Sequence, residues 1–213
     1  MIFLREDLWF PDVAKADDEG LVAVGGDLSN ERLLLAYRSG IFPWFIENEL
    51  VFWFSPPERF VLFPEEVHVS HSMKQIIRQG KFKVTENKNF KDVIESCAAV
   101  NQFKTGSTWV SEEFIESYTQ LHHLGYAKSV EVWEGDNLIG GLYGVEVGNI
   151  FCGESMFSLQ TNASKLALIH LCKSGRYKLI DCQVYTSHLE SMGARMISRD
   201  IFLNGVIASQ KTV

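Results

Sequence analysis

Residues 151–165, FCGESMFSLQTNASK, and residues 179–183, LIDCQ, constrain this chain more than any other part of it. Each contains an apolar run with the period of a strand. The stretch between them can form a helix over 165–172, capped by Thr161, Asn162 or Ser164 and closed by Gly175. Strand, helix, strand in that order implies a right-handed crossover that lays the two strands parallel and near one another. Ligands in such units collect beyond the carboxyl ends of the strands.

These strands also carry polar groups where a buried strand is normally apolar. An unpaired polar group away from water costs about 1–3 kcal/mol, yet Glu154, Asp181 and Gln183 sit inside the two runs. Asp181 and Gln183 are two apart, so an extended strand projects both from one face while Ile180, Cys182 and Val184 point the other way. Glu154 lies likewise between Cys152 and Met156 on one face of the preceding run. The three are expected to converge on one pocket. The pattern fits a plainer arrangement equally well, with Asp181 and Gln183 as satisfied strand-end groups and Glu154 in a core salt bridge.

The rest of the sequence bounds the class of protein. A chain of 213 residues, 46% hydrophobic and 12% aromatic, can fill one large core or a small and a medium one. Cys97, Cys152, Cys172 and Cys182 form no C-x-x-C pair and read as reduced packing residues, which points to a cytoplasmic protein. The apolar start of the chain is broken by Arg5, Glu6 and Asp7, and no uncharged run approaches the roughly 18 residues of a membrane span, so neither secretion nor membrane insertion is expected. A net charge of −7 argues against nucleic-acid binding over the whole surface. Residues 72–91 depart from that balance, with Lys74, Arg78, Lys81, Lys83, Lys88 and Lys91 against Glu86 alone. Such a run is most often a solvated face; if RNA is bound, its backbone belongs here.

The order of elements suggests a small α/β N-terminal domain over 1–60 and a larger domain over 61–213, the whole being mixed α/β with a mixed sheet. In the first part a helix is expected over 31–39, capped by Ser29, with strands at 21–24 and 51–54 before the Pro56–Pro57 breaker. In the second, strands are expected at 60–63, 67–69 and 82–84 and helices at 72–79 and 90–100. A further helix starts at the Ser111 cap, and long strands at 138–147 and 149–157 then feed the crossover.

The strings GLVAVGGDL (20–28), AYRSGIFPWF (36–45), WFSPPER (53–59), TWVSEEF (108–114), SVEVWEGDNLIGGLYGVEVGNIFCGESMFS (129–158), NASK (162–165) and LIDCQ (179–183) run in order over nearly the whole chain. Together they resemble the bacterial leucyl/phenylalanyl-tRNA–protein transferase family. The resemblance implies a GNAT-like (N-acyltransferase-like) fold for the larger domain. It also implies transfer of Leu or Phe from aminoacyl-tRNA to the N-terminal Lys or Arg of acceptor proteins, marking them for degradation. By the same resemblance Trp44 and Trp109 grip the aminoacyl-adenosine end. Leu142, Phe151, Met156, Leu171 and Ile180 line the side-chain pocket, and Lys74, Arg78, Lys81 and Lys83 contact the tRNA backbone. Asp181, Gln183 and Glu154 are the catalytic group, the aspartate polarising the glutamine. A monomer needing neither metal nor cofactor is expected. Apolar pockets separate side chains by only about 1–3 kcal/mol per methylene, so sharing among Leu, Phe and Met is expected; some relatives carry Met or Phe where Leu142 and Leu171 stand, which leaves the preference between Leu and Phe open.

The residues themselves speak to the rivals. GESMFS is not the G-x-S-x-G of a hydrolase elbow. His68, His71, His122, His123, His170 and His188 show no metal spacing with nearby acids. No Q/R-x-x-G-x-G/A loop precedes the helix at Asn162, which tells against a GNAT-fold acetyltransferase using acyl-CoA. A non-catalytic protein that binds a tRNA end is the remaining alternative; the intact Glu154, Asp181 and Gln183 weigh against it.

Overall fold

The computed structural model describes residues 1–105 and 111–210, with backbone alone at 101–105. Its elements in chain order are strands β1 (Phe3–Leu4) and β2 (Leu21–Gly25), helix α1 (Asn30–Arg38), strands β3 (Phe42–Glu47), β4 (Leu50–Phe54) and β5 (Glu58–Leu62), helix α2 (His71–Gln79), and strand β6 (Lys83–Glu86). Helices α3 (Phe90–Thr105) and α4 (Glu112–His123) follow, then strands β7 (Ala127–Glu134), β8 (Asn137–Val147) and β9 (Ile150–Ser158). The chain ends with α5 (Ala163–Lys173), β10 (Leu179–Gln183), the single turn α6 (Ser187–Glu190), β11 (Arg195–Ser198) and α7 (Arg199–Gln210).

Caps explain where the helices start. The hydroxyls of Ser29, Ser70 and Ser111 accept backbone N–H bonds from Arg32, Met73 and Phe114, satisfying orphan donors of the first turns of α1, α2 and α4. Gly80 ends α2 in the left-handed conformation. Asn162 precedes α5 in the same conformation, without a side-chain cap. The strand expected at 67–69 is absent: Pro64–Glu66 form a turn of 3-10 helix, and the His68 N–H instead donates to the Met192 carbonyl. The edge strand β3 was hidden in the sequence because Pro43 and the run of aromatics mask its alternation.

Two sheets result. The first has order β1-β2-β4-β3; the second, of seven strands, has order β11-β5-β10-β9-β8-β7-β6. Strand β9 pairs antiparallel with β8 and parallel with β10, the crossover running through α5. One face of the large sheet buries Val93, Ile94 and Cys97 of α3 and Phe114, Tyr118 and Leu121 of α4 in a core that continues into the small sheet through Trp53 and Phe42. The other face buries Leu166, Ile169 and Leu171 of α5 with Met73 of α2. Hence β9 and β10 lie between two apolar layers, so a polar side chain there must find a partner or a cavity.

Candidate functional site

Two bulges place the polar residues. In the β8–β9 ladder Tyr143 faces Ser155 and Gly144 faces Gly153, so Glu154 is the extra residue of a bulge. In β10, Asp181 faces Val61 and Gln183 faces Phe60, so Cys182 is extra. Bulges re-aim side chains, and these two cancel the simple alternation expected from the sequence. Gln183 has φ +64, and the Val184 N–H donates to the Cys182 carbonyl at 2.7 Å, closing a three-residue γ-turn around Gln183. Positive-φ γ-turns are strained, by about 1–3 kcal/mol for a side chain of this kind.

The turn brings two amides and two acids together. Gln183 Nε2 donates to Glu154 Oε1 at 2.7 Å, and its backbone N–H donates to Asp181 Oδ1 at 2.9 Å. Glu154 Oε2 also accepts from the hydroxyl of Tyr118 at 3.2 Å, and Tyr118 shares a short hydrogen bond with Tyr37. Burial pushes the Glu154 carboxyl up to about 7, while the hydrogen bonds from Tyr37, Tyr118 and Gln183 hold it from rising further.

Asp181 does not present a free charge to the cavity. Its two oxygens accept Arg59 Nε and Nη2, both at 2.8 Å, and the pair is wholly buried. The Arg59 guanidinium lies 4.5 Å from the centre of the Phe42 ring and 4.6 Å from that of Phe202. The Asp181 charge is thus matched inside the protein. Among the described residues no cation forms an ion pair with Glu154, which leaves it the one site carboxylate without a counter-charge. Arg59 was invisible to sequence reading because WFSPPER looks like a turn; the signal available was a buried acid in β10 that required a cation. Tyr37 and Tyr118 are buried residues of α1 and α4, where nothing local in the sequence sets them apart from packing residues.

A cavity of about 680 Å³ opens over these groups. Its lining includes Glu154, Asp181 and Gln183, the apolar Leu142, Phe151, Met156, Leu171 and Ile180, and the indole of Trp44 at its rim. Trp44 is 38% exposed and is held edge-on by Phe54 at 4.9 Å between ring centres. Lys165 and His188 also border the cavity. Trp109 lies outside the described residues. Lys74, Arg78, Lys81 and Lys83 do not line this cavity. They are exposed on α2, on β6 and, for Lys81, on the connection between the two, where Ile76 and Ile77 of α2 face Leu166, Ile169 and Lys173 of α5 across a smaller cleft. Helix α5 therefore stands between the basic segment and the cavity. Lys81 is paired with Glu134 at 2.6 Å.

The cysteines are inert by burial, and of the four only Cys182 lines the cavity. Burial pushes the thiols of Cys97 and Cys172 up to about 12 and raises those of Cys152 and Cys182 further still. Among the described residues no three His, Cys, Asp or Glu side chains are grouped to hold a metal ion, and no helix is long and apolar enough to cross a membrane.

A pocket with an apolar floor, an aromatic rim and one unmatched carboxylate suits an ester of an apolar amino acid meeting an amine, and comparison with known proteins points the same way. Residues 61–206 match the family model described as leucyl/phenylalanyl-tRNA protein transferase, and residues 26–57 match that of its N-terminal domain. The leucyl/phenylalanyl-tRNA–protein transferase of Flavobacterium johnsoniae is 54% identical over 207 residues, spanning 96% of this chain and 98% of that one. That of Syntrophus aciditrophicus is 56% identical over 196 residues, spanning 91% and 82%. Among solved structures, a conserved protein of unknown function from Bacteroides thetaiotaomicron aligns with TM-score 0.44 at 8% identity over 89% of this chain and 64% of that one, too distant to describe this site. With two consecutive models matched and relatives this similar over nearly their full length, the chain belongs to the leucyl/phenylalanyl-tRNA–protein transferase family.

Proposed function

We propose that this chain is an aminoacyltransferase that moves leucine or phenylalanine, and also methionine, from the 3′ end of tRNA to the N-terminal Lys or Arg of an acceptor protein, marking that protein for degradation. The observation that carries this reading is the meeting, in one cavity, of the apolar floor with the Glu154–Gln183 hydrogen bond. The amino-acid side chain occupies the floor formed by Leu142, Phe151, Met156, Leu171 and Ile180. Trp44 stacks on the terminal base, an interaction worth about 1–3 kcal/mol per base, and Trp109 shares that role. Lys74, Arg78 and Lys83 hold the tRNA backbone, with Lys81 contributing less because Glu134 already matches its charge.

The acceptor amine attacks the ester carbonyl carbon; an amide bond forms, the bond to the ribose 3′ oxygen breaks, and the amine proton passes to that oxygen. An α-amino group has a pKa of about 7.7–8.0, so a fair fraction is neutral near pH 7 and the step needs a weak acceptor rather than a strong base. Glu154, poised at about 7, is matched to that task and supplies negative potential to the ammonium and to the basic acceptor side chain. Gln183 orients the reacting groups; its amide is too poor a base to do more. Proximity supplies the remainder, up to about 7–11 kcal/mol in well-aligned systems. The chain works as a monomer in the cytoplasm, its division near residue 60 supported by the two sheets and by the spans of the two family models. The antiparallel β6-β7-β8-β9 run followed by the parallel β9–β10 pair supports a GNAT-like larger domain.

The test is to mix the protein with charged Leu-, Phe- or Met-tRNA and a peptide beginning with Arg, and to read peptide masses with and without ribonuclease pretreatment. A gain of one aminoacyl residue, lost after ribonuclease, supports the reading. Acetyl-CoA-dependent mass gain would replace it with the acetyltransferase alternative.

A further inference from the structure

We propose that the buried Arg59–Asp181 pair is a positioning clamp whose task is to hold the γ-turn at Gln183, and that the negative charge of Asp181 takes no direct part in transfer. The inference rests on the reading of the cavity as the transfer site. Four observations carry it. The pair is bidentate, with both Asp181 oxygens bound by Arg59, and both side chains are buried. The guanidinium is fixed from two sides by the Phe42 and Phe202 rings, which come from the small sheet and the C-terminal helix α7. Asp181 Oδ1 accepts the Gln183 backbone N–H, the contact that pins the left-handed residue. Gln183 then reaches Glu154 through its side-chain amide. Position thus passes from Arg59 to Asp181, from Asp181 to the Gln183 backbone, and from the Gln183 amide to Glu154. A carboxylate matched so closely by a guanidinium offers little net potential to a substrate, whereas its oxygen remains an acceptor for the turn.

This separates two roles that a simple Asp181 deletion merges. Arg59→Gln leaves a neutral amide donor near the place of Nε. Pairing it with Asp181→Asn keeps an oxygen for the Gln183 N–H, and pairing it with Asp181→Ala removes that oxygen; both double variants are neutral. Turnover of charged tRNA and Arg-peptide is measured for wild type, Arg59→Gln and the two double variants, with KM for charged tRNA. Backbone amide exchange at Gln183 and Val184 is followed in the same proteins.

The clamp predicts that Arg59→Gln lowers kcat by about a hundredfold with KM for charged tRNA little changed, since the lost interaction serves the chemical step. The Arg59→Gln/Asp181→Asn variant recovers to within about tenfold of wild type and regains amide protection, while Arg59→Gln/Asp181→Ala does neither. If Arg59→Gln alone fails to fold, the two neutral double variants decide by themselves. Equal inactivity of both double variants, with protection restored only in the Asn form, would show that the Asp181 charge acts directly and would overturn the clamp. So would wild-type kcat in Arg59→Gln. Absence of transfer by the wild-type chain would sink the transfer reading instead, and the exchange data would still decide whether Arg59 holds the turn.

Discussion

Replacing Glu154 by Gln should make the protein more stable at alkaline pH relative to wild type, and the size of the change follows from the burial of this carboxyl. In the folded chain Glu154 keeps its proton to about pH 7, against an ordinary glutamate value of 4.5. At 1.36 kcal/mol per pKa unit, the gap corresponds to about 3 kcal/mol across the full titration. The sign follows from proton counting. The folded state binds the proton more tightly than the unfolded one, so the contribution is complete below pH 4.5 and is lost as pH rises through about 7. Glutamine is neutral throughout and reproduces the shape of the protonated acid. The stability difference, variant minus wild type, should therefore rise by about 1.4 kcal/mol between pH 6 and pH 8, a window that stays above the isoelectric point near 5.4. Urea unfolding followed by tryptophan fluorescence at several pH values in that window measures it. A difference flat to within about 0.5 kcal/mol, the level at which independent changes ordinarily add, would refute the idea that Glu154 changes charge near neutrality inside the fold.

Trp44→Ala should raise KM for charged tRNA by about 5- to 150-fold while kcat falls less, the range expected for one stacked base; steady-state kinetics with Trp44→Phe as an intermediate checks it. Lys74→Ala should weaken tRNA binding regardless of sequence and flatten the log–log salt dependence by about one unit. Lys81→Ala should do so by less because Glu134 already pairs with it, and filter binding at several salt concentrations compares the two. Gly144→Ala places a methyl 2.2 Å from the Cys152 carbonyl and 2.7 Å from the Phe151 ring, across from the Glu154 bulge. It should cost about 1–3 kcal/mol in thermal or urea unfolding as an overpacked contact.

What the sequence made legible follows from how local each signal is. The β9–α5–β10 crossover rests on strand and helix period within about thirty residues, and it was readable, although the side-chain cap expected from Thr161, Asn162 or Ser164 does not form. So were the helices behind Ser29 and Ser111, because a cap is a contact between residues three apart. Glu154, Asp181 and Gln183 stood out because they interrupt apolar strands, and they do border one cavity. Their relations did not stand out. Ideal alternation put Asp181 and Gln183 on one face, whereas a bulge at Cys182 and a left-handed Gln183 turn the aspartate to Arg59 and the glutamine to Glu154. Arg59 is 122 residues away from its partner, and no local pattern in a Pro-Pro-Glu-Arg string reports a bidentate pair. The tyrosines behind Glu154 come from two separate helices whose apolar faces look ordinary. Helix α7, which supplies Phe202 to the clamp, lies in a tail with weak periodicity.

The most direct test is the single-turnover rate of leucyl transfer from pre-charged tRNA to an Arg-initiated peptide, measured for wild type, Gln183→Ala and Glu154→Gln alongside binding of the charged tRNA. Transfer in the wild type, with loss of at least about a hundredfold in both variants while tRNA binding stays near native, is the predicted result. Near-native transfer by both variants would contradict it, because the peptide bond would then form somewhere other than the corner where Glu154 meets Gln183.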